Sequence, residues 1–575
     1  MKASDYIAHF LEAQGVTTVF EMSGGMITHL LDSLHQLTKI DIVSMHHEQS
    51  AAFAADAYAR VTGVPGVALA TSGPGATNLL TGIASCYFDS APGVFITGQV
   101  NTFEQKGDRP IRQLGFQETD IVGMARPVCK ECYEVRDALE LPQVLAEAFR
   151  VAQAGRPGPV LIDIPMNVQR GDVPAPAEGF ARVPREHVPH TLTPAVLDEL
   201  AQALAAARKP LILVGRGVRA AFQVEAFRRF AHLTQMPVVA SLLALDAVAY
   251  DDPLRVGYIG SYGNRWANIA LGSCDFLLVL GARLDIRQTG ADTQFFQTGR
   301  TIYHVDCDPG EINNRVVGCR AIVADLEDFF TLAHGYYRPQ DFAARPEWTA
   351  ELRALQAEWP DTAEQPDVTG INPNEFMHAL SRPGLGAGYV ADVGSHQQWA
   401  AQSLELTAQQ LFLTSAGLGS MGYALPAALG MCYATGRQPV VVIAGDGGFQ
   451  MNIQELQTIA HHRLPVKLVV INNNCLGMIR QFQESYFEGR YQSTYWGYSA
   501  PDFTKIAAAY GIPALTVSDP AGLDDAADWL WQDPRQPALL QVMVDAHTNC
   551  YPKLAFGRPI TEMEPFAKPL EMEGT

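Results

Sequence analysis

This 575-residue chain predicts an α/β protein built from three doubly wound parallel-sheet domains. Three observations carry that reading. Short apolar runs rich in β-branched residues alternate with helix-periodic segments along the whole length. Two proline-rich stretches, 171–194 and 336–373, divide the chain into three parts of about 170 residues each. One segment, from Val440 to Asn473, spells a complete strand–turn–helix–strand crossover.

Composition sets the class. The chain is 47% hydrophobic and 18% charged, which is globular, and no apolar run approaches a membrane span. A net charge of −20 argues against nucleic acid as a partner and requires locally placed cations for any anionic substrate. The start, Met1-Lys2-Ala3-Ser4-Asp5-Tyr6-Ile7, lacks a signal-peptide core, and nine scattered cysteines suit a reducing cytoplasm. Cys129-x-x-Cys132 has no second pair at zinc-ligand spacing and reads as structural.

In the first part (1–170) the strand candidates are 42–45, 67–70 and 94–97. Glu48 stands just before a helix over 49–61 that ends at Gly63, amid His46, His47 and the apolar run Ala51 to Ala55. It is either a carboxylate held for chemistry or an acid stabilised at a helix N-terminus. In the second part (190–335) strands fall at 211–214, 276–280 and 302–305. Gly215-Arg216-Gly217 and Gly281-Ala282-Arg283 follow two of them, as strand-end turns or as phosphate-approach loops.

The third part (370–550) has strands at 389–391, 440–444, 466–471 and 539–544. Gly445-Asp446-Gly447 ends one buried strand, and after 24 intervening residues Asn472-Asn473 ends the next. Ile453, Leu456, Ile459 and Ala460 recur at helical spacing between them. Asp446 and Asn473 therefore fall at the carboxyl ends of adjacent parallel strands, where open α/β sheets bind ligands. An Asp carboxylate, an Asn amide oxygen and a nearby backbone carbonyl suit Mg²⁺, and the flanking glycines admit a phosphate.

The GDG turn, spaced in this way from the asparagine pair, resembles the thiamine-diphosphate signature of the pyruvate decarboxylase and acetolactate synthase superfamily. The rest of the chain extends the likeness over roughly residues 3–550 to the catalytic subunit of acetolactate synthases. His47-Glu48-Gln49-Ser50, Thr71-Ser72-Gly73-Pro74-Gly75-Ala76-Thr77-Asn78 and Gly98-Gln99-Val100 are similar to that family's pyrimidine-binding domain. The resemblance implies that Glu48 bonds the aminopyrimidine and relays protons, with Pro74, Asn78, Phe116 and Gln117 lining the site. In the third domain it places Val393, Gly394, Ser395, His396, Gly419, Gly445, Gly447, Gly448, Leu476, Gly477 and Met478 around the diphosphate. Met421 falls where a large apolar residue props the cofactor into a bent shape. Asp446, Asn473 and the backbone carbonyl of Cys475 match the metal ligands.

The middle domain is similar to that of the FAD-binding members, through Arg156, Gly215, Arg216, Gly217, Gly260, Gly263, Arg283, Asp285, Asp306 and Asp325. The resemblance implies a structural FAD, and a site shared between two chains, hence a homodimer at minimum and a homotetramer above it. The activity implied is decarboxylation of pyruvate and transfer of its two-carbon unit to an acceptor carbonyl. That acceptor is a second pyruvate or a ketone, including a nucleotide-linked keto-deoxysugar. A non-ligating 2-oxo acid decarboxylase and a flavin-dependent pyruvate oxidase are the alternatives. Arg287 matches the residue that pairs with an acceptor carboxylate. Three departures fall on the acceptor half: Met166 stands for a lysine, Leu114 for an acid and Phe482 for a tryptophan.

Overall fold

A computed structural model of the chain describes residues 1–365 and 367–570; Pro366, one of the linker prolines, lies outside them. It contains three six-stranded sheets, parallel throughout. The first is formed by β1 (Thr18–Met22), β2 (Asp41–Ser44), β3 (Gly66–Ala70), β4 (Gly93–Gln99), β5 (Glu131–Glu134) and β6 (Pro159–Pro165), in the order 2-1-3-4-6-5. The second takes β7 (Pro210–Val214), β8 (Val238–Ala240), β9 (Arg255–Tyr258), β10 (Phe276–Leu280), β11 (Thr301–Asp306) and β12 (Arg320–Val323), in the order 12-11-10-7-8-9. The third takes β13 (Gly388–Ala391), β14 (Leu411–Thr414), β15 (Val440–Gly445), β16 (Val466–Asn472), β17 (Ala514–Val517) and β18 (Ala538–Met543). Its order, 14-13-15-16-18-17, repeats the topology of the first sheet. Central strands such as β4, β7 and β15 are buried along their whole length, which is why they read as continuous apolar runs.

The first and third domains share one core. The helix Glu48–Thr62 of the first packs against Ala424–Ala434 of the third, both dominated by small residues. Gly430 allows the closest approach, since a Cβ there would lie 2.0 Å from the Ala54 carbonyl oxygen. Among the described residues, no helix is long and apolar enough to cross a membrane.

Three details differ from the sequence reading. The stretch 336–373 is not all linker: Pro346–Glu358 is a helix, begun by its proline in the first turn. Its Trp348 is buried against the second sheet and donates from Nε1 to the Pro210 carbonyl at 3.0 Å. The helix after Gly445 is broken, with Asp446–Met451 separated from Leu456–His462 by Asn452 at φ −130° and a short 3₁₀ turn. Glu48 is the first helical residue rather than the one before it, and His47 is the cap, accepting Gln49 N at Nδ1 at 3.0 Å.

Candidate active site

The third sheet changes direction between β13 and β15, and the loops that follow these strands and β16 meet at that edge. The register pairs Gly445 with Ile471, which sets Asp446 beside the end of β16. Asp446 is buried. Its Oδ1 accepts the Gly447 N–H at 2.9 Å, while Oδ2 has no hydrogen-bond partner among the described residues. Burial pushes its carboxyl up to about 7, against the N–H donors nearby. Asn473 Oδ1 accepts Cys475 N at 3.2 Å, and the Cys475 thiol is turned to the Ala546 carbonyl at 3.4 Å. A Cβ on Gly477 would sit 2.8 Å from Asn473 Nδ2 and 3.2 Å from Ser395 Oγ, so this glycine leaves a pocket walled by both side chains. A buried carboxylate oxygen without a donor is costly alone and suited to a cation. Asp446 and Asn473 would hold a hard divalent ion, with room beside Gly477 for an anionic partner.

His396 fills the space left by two glycines: Cβ atoms on Gly394 and Gly445 would lie 2.6 and 2.8 Å from its ring. Its Nε2 accepts Gly445 N at 3.2 Å, and burial lowers the imidazole to about 3, so it is neutral. Over Gly447 converge Met421 Cε and Leu476 Cδ2, at 3.3 and 2.6 Å from the position of a Cβ, with the Tyr498 hydroxyl at 3.4 Å. Gly448 is pressed on Asp392 in the same way, with a Cβ position 2.5 Å from Oδ1. Gly419 sits at φ +69°, and Val393 and Met478 flank the cradle at the ends of β13 and of the loop after β16. Asp392 was absent from the sequence reading, although it organises this edge. Its carboxylate accepts Val393 N, Gly422 N and Ala424 N at 2.8–2.9 Å. Its position directly after β13 was the available signal.

The first domain gathers a second group. Glu48 is 8% exposed, its Oε2 accepts Asn78 Nδ2 at 2.8 Å, and its Oε1 lies 3.1 Å from where a Gly75 Cβ would be. The short helix Pro74–Asn78 follows Gly73 at φ +68°, whose Cβ position is 3.0 Å from Gln117 Cβ. Gln117 is itself held at φ +67°, and Phe116 beside it is 80% exposed. Leu114 is also exposed, its N–H given to Glu118 Oε2 at 2.7 Å. Among the described residues, no hydrogen bond joins the Glu48 group to the Asp446 group of the same chain. The neighbours of Glu48 turn to the helix break instead: His46 N donates to Glu455 Oε1 at 3.0 Å and Ser50 Oγ to Asn452 Oδ1 at 3.1 Å.

A cleft of about 1200 Å³, counted with its solvent-open mouth, lies where the three domains meet. It sits at the direction change of the second sheet, between β7 and β10. Gly215 and Gly217 lean on Gly281 there, with Cβ positions 2.2 and 2.7 Å from its backbone. Arg156, Arg216, Arg283, Asp285, Asp306 and Asp325 line the cleft. Gly260, at φ +117°, and Gly263 form the turn behind it. Burial pushes Asp306 up to about 6. Arg185, from the 171–194 stretch, also lines the cleft and pairs with Asp325 at 3.4 Å; no local pattern marked it. The volume and its arginines fit an elongated dinucleotide with a central diphosphate.

Arg287 is exposed at the cleft rim, and Phe482 is 37% exposed on the helix Gly477–Tyr486. The segment after residue 550 joins them. Leu554 N donates to Ser261 O and Ser261 N to Arg287 O, each at 2.7 Å, while Phe556 packs on Tyr486, which packs on Phe482 at 4.7 Å between ring centres. All nine cysteines are free thiols, and Cys129 and Cys132 are buried in the shared core.

Three family descriptions match the chain. "Thiamine pyrophosphate enzyme, N-terminal TPP binding domain" covers residues 1–124, the central domain of the same enzymes 197–332 and the C-terminal TPP binding domain 392–542. The large subunit of acetolactate synthase isozyme 2 from Escherichia coli (strain K12) is 38% identical over 566 residues, spanning 98% of this chain and 99% of the relative. Acetolactate synthase large subunits from Porphyra purpurea and Lactococcus lactis are 36% and 34% identical, spanning 96% and 97% of this chain and 94% and 95% of theirs.

Proposed function

The chain belongs to the acetolactate synthase family of thiamine pyrophosphate enzymes, and on that premise we propose that it decarboxylates pyruvate and transfers the two-carbon, acetaldehyde-level unit to an acceptor carbonyl. The acceptor is a second pyruvate, giving acetolactate, or a ketone, with a keto-deoxysugar among the candidates. The observation that carries the reading is the Asp446–Asn473 cradle, a buried carboxylate oxygen without a partner at the sheet edge where a phosphate-bound cation belongs.

Asp446 and Asn473 offer oxygen ligands to Mg²⁺, with the Cys475 backbone carbonyl as the third. Bound thiamine diphosphate supplies the electron sink that takes up the pair released as CO₂ leaves pyruvate. Glu48 holds and returns a proton through Oε1, the oxygen left free when Asn78 fixes Oε2. Met421 and Leu476 present an apolar surface that excludes water beside the diphosphate. Gln117 and Phe116 line the substrate side, Arg287 pairs with an acceptor carboxylate, and Phe482 sets the room for the acceptor's remaining bulk. The half-exposed aromatic row Phe482, Tyr486 and Phe556 supports acceptors larger than pyruvate. Arg156, Arg216 and Arg283, which line the central cleft, would hold the diphosphate of an FAD, and that FAD would serve as a structural group. Among the described residues of one chain the Glu48 and Asp446 groups exchange no hydrogen bond, which supports a site completed by a second copy. The minimal unit is then a homodimer, and a homotetramer pairs two of them.

The test is product analysis by carbon NMR with labelled pyruvate, thiamine diphosphate, Mg²⁺ and FAD, alone and with a panel of ketones. Acetolactate, together with tertiary alcohols from added ketones, is the expected result. Free acetaldehyde alone would make the protein a simple decarboxylase, and acetate formed with oxygen uptake would make it an oxidase.

A further inference from the structure

A corner of the first domain, residues 88–90, stands between the central cleft and the loop that carries Met421. Asp89 closes the helix Leu80–Phe88 and is 2% exposed. Its carboxylate reaches into the third domain, where Oδ2 accepts Ala416 N at 3.0 Å and Oδ1 accepts Gly417 N at 2.7 Å. The approach is tight, with a Cβ position on Gly417 only 2.9 Å from Phe88 O. On its other side the same corner is gripped by two arginines of the cleft. Arg216 Nε donates to the Asp89 carbonyl at 2.7 Å, and Arg156 Nε donates to Ser90 Oγ at 2.8 Å. Ser90 is held at φ +56°, so the corner has little freedom to absorb a shift. Arg60 is buried beneath it. It bonds Asp56, Asp89 at 3.2 Å and the Thr414 carbonyl at 2.9 Å, which anchors the start of the loop. Ala416 and Gly417 line the cleft, while Met421, four residues beyond Gly417, packs over Gly447.

We propose that Asp89 is a positioning residue that couples occupancy of the central cleft to the diphosphate site, by holding loop 415–421 on the corner gripped by Arg156 and Arg216. The proposal rests on the reading of the cleft as the flavin site and of the Asp446 cradle as the diphosphate site. An anionic group entering the cleft draws on the two arginines and stiffens or shifts the corner. Asp89 transmits that change to Ala416 and Gly417, and so to the ground on which Met421 stands. Because binding linkage is reciprocal, thiamine diphosphate must tighten flavin binding by the same factor that flavin tightens thiamine diphosphate.

The experiment measures dissociation constants on the full-length protein: thiamine diphosphate with Mg²⁺, by tryptophan fluorescence, with and without saturating FAD, and FAD, by flavin fluorescence, with and without thiamine diphosphate. A reciprocal factor of at least about five is expected in the native protein. In Asp89→Asn the factor should fall to within twofold of unity while each cofactor still binds alone. Asp89→Glu, which keeps the charge but moves the carboxylate off Ala416 N and Gly417 N, should do the same if the Asn variant fails to fold. Independent binding in the native protein, or an unchanged factor in a folded variant, would overturn the proposal. Absence of any flavin binding would overturn it too, and would separately show that the cleft was misread.

Discussion

Gly430 and Ala54 touch backbone to backbone across the first and third domains, and a Cβ at Gly430 would lie 2.0 Å from the Ala54 carbonyl oxygen. Nothing flexible stands there to yield, because the obstacle is main chain within a helix. Gly430→Ala should therefore destabilise the protein by about 3 kcal/mol, at the upper end of overpacking costs. Chemical denaturation measures it, and a loss under about 0.5 kcal/mol would show that the helices separate freely.

Glu48→Gln keeps the Asn78 contact within reach and removes the exchangeable acid. Turnover should fall by roughly 10²–10⁴, the range of general acid–base catalysis, while thiamine diphosphate still binds. Exchange of the cofactor's C2 proton, followed by NMR after acid quench, separates the two effects. Near-native exchange in the variant would remove Glu48 from proton transfer.

Asp446→Asn removes the unpartnered buried oxygen. The protein without cofactor should be as stable as native or more so, since a desolvated carboxylate is gone. The stabilisation by thiamine diphosphate with Mg²⁺, about 2.7 kcal/mol at one hundred times Kd, should largely disappear. Thermal shifts with and without the pair read both effects, and an undiminished shift would place the metal elsewhere.

His378 bridges Asp361 Oδ2 at 3.0 Å and Glu405 Oε1 at 2.8 Å, beside the Tyr250 ring and the Ser403 hydroxyl that also bonds Asp361. Burial opposes its charge, but the two carboxylates prevail and raise the imidazole above its ordinary value. A raised folded value means a stabilising contribution that is complete below about pH 6.5 and lost as pH rises through the folded value. Stability of the native protein should fall across that window more steeply than that of His378→Gln. Parallel curves for the two proteins would show that the bridge does not titrate there.

Phe482→Trp should alter the ratio of acetolactate to ketone-derived products and leave CO₂ release from pyruvate within about twofold, because the half-exposed ring packs on Tyr486 and carries no acid–base group. Competition between pyruvate and a ketone, read by NMR, is the check. An unchanged ratio would remove Phe482 from the acceptor site.

The sequence by itself determined the α/β class, the strand positions around Gly445-Asp446-Gly447 and Asn472-Asn473, and the placing of both at strand ends. These depend on short-range constraints: apolar runs for strands buried on both faces, helical spacing, and glycine where backbone approaches backbone. The tertiary structure decided what those residues meet. Pro346 opens a packed helix inside a stretch that reads as linker, because proline suits a helix's first turn as well as a coil. Glu48 finds Asn78 on its own domain, while His46 and Ser50 find Glu455 and Asn452 some four hundred residues on. Asp392, Arg185 and Asp89 carry no motif; the two aspartates acquire their roles by being buried against distant N–H groups, and Arg185, half-buried, by meeting the Asp325 carboxylate. A desolvated polar group must find a partner wherever the packed chain places one, and periodicity along the chain holds no record of that choice.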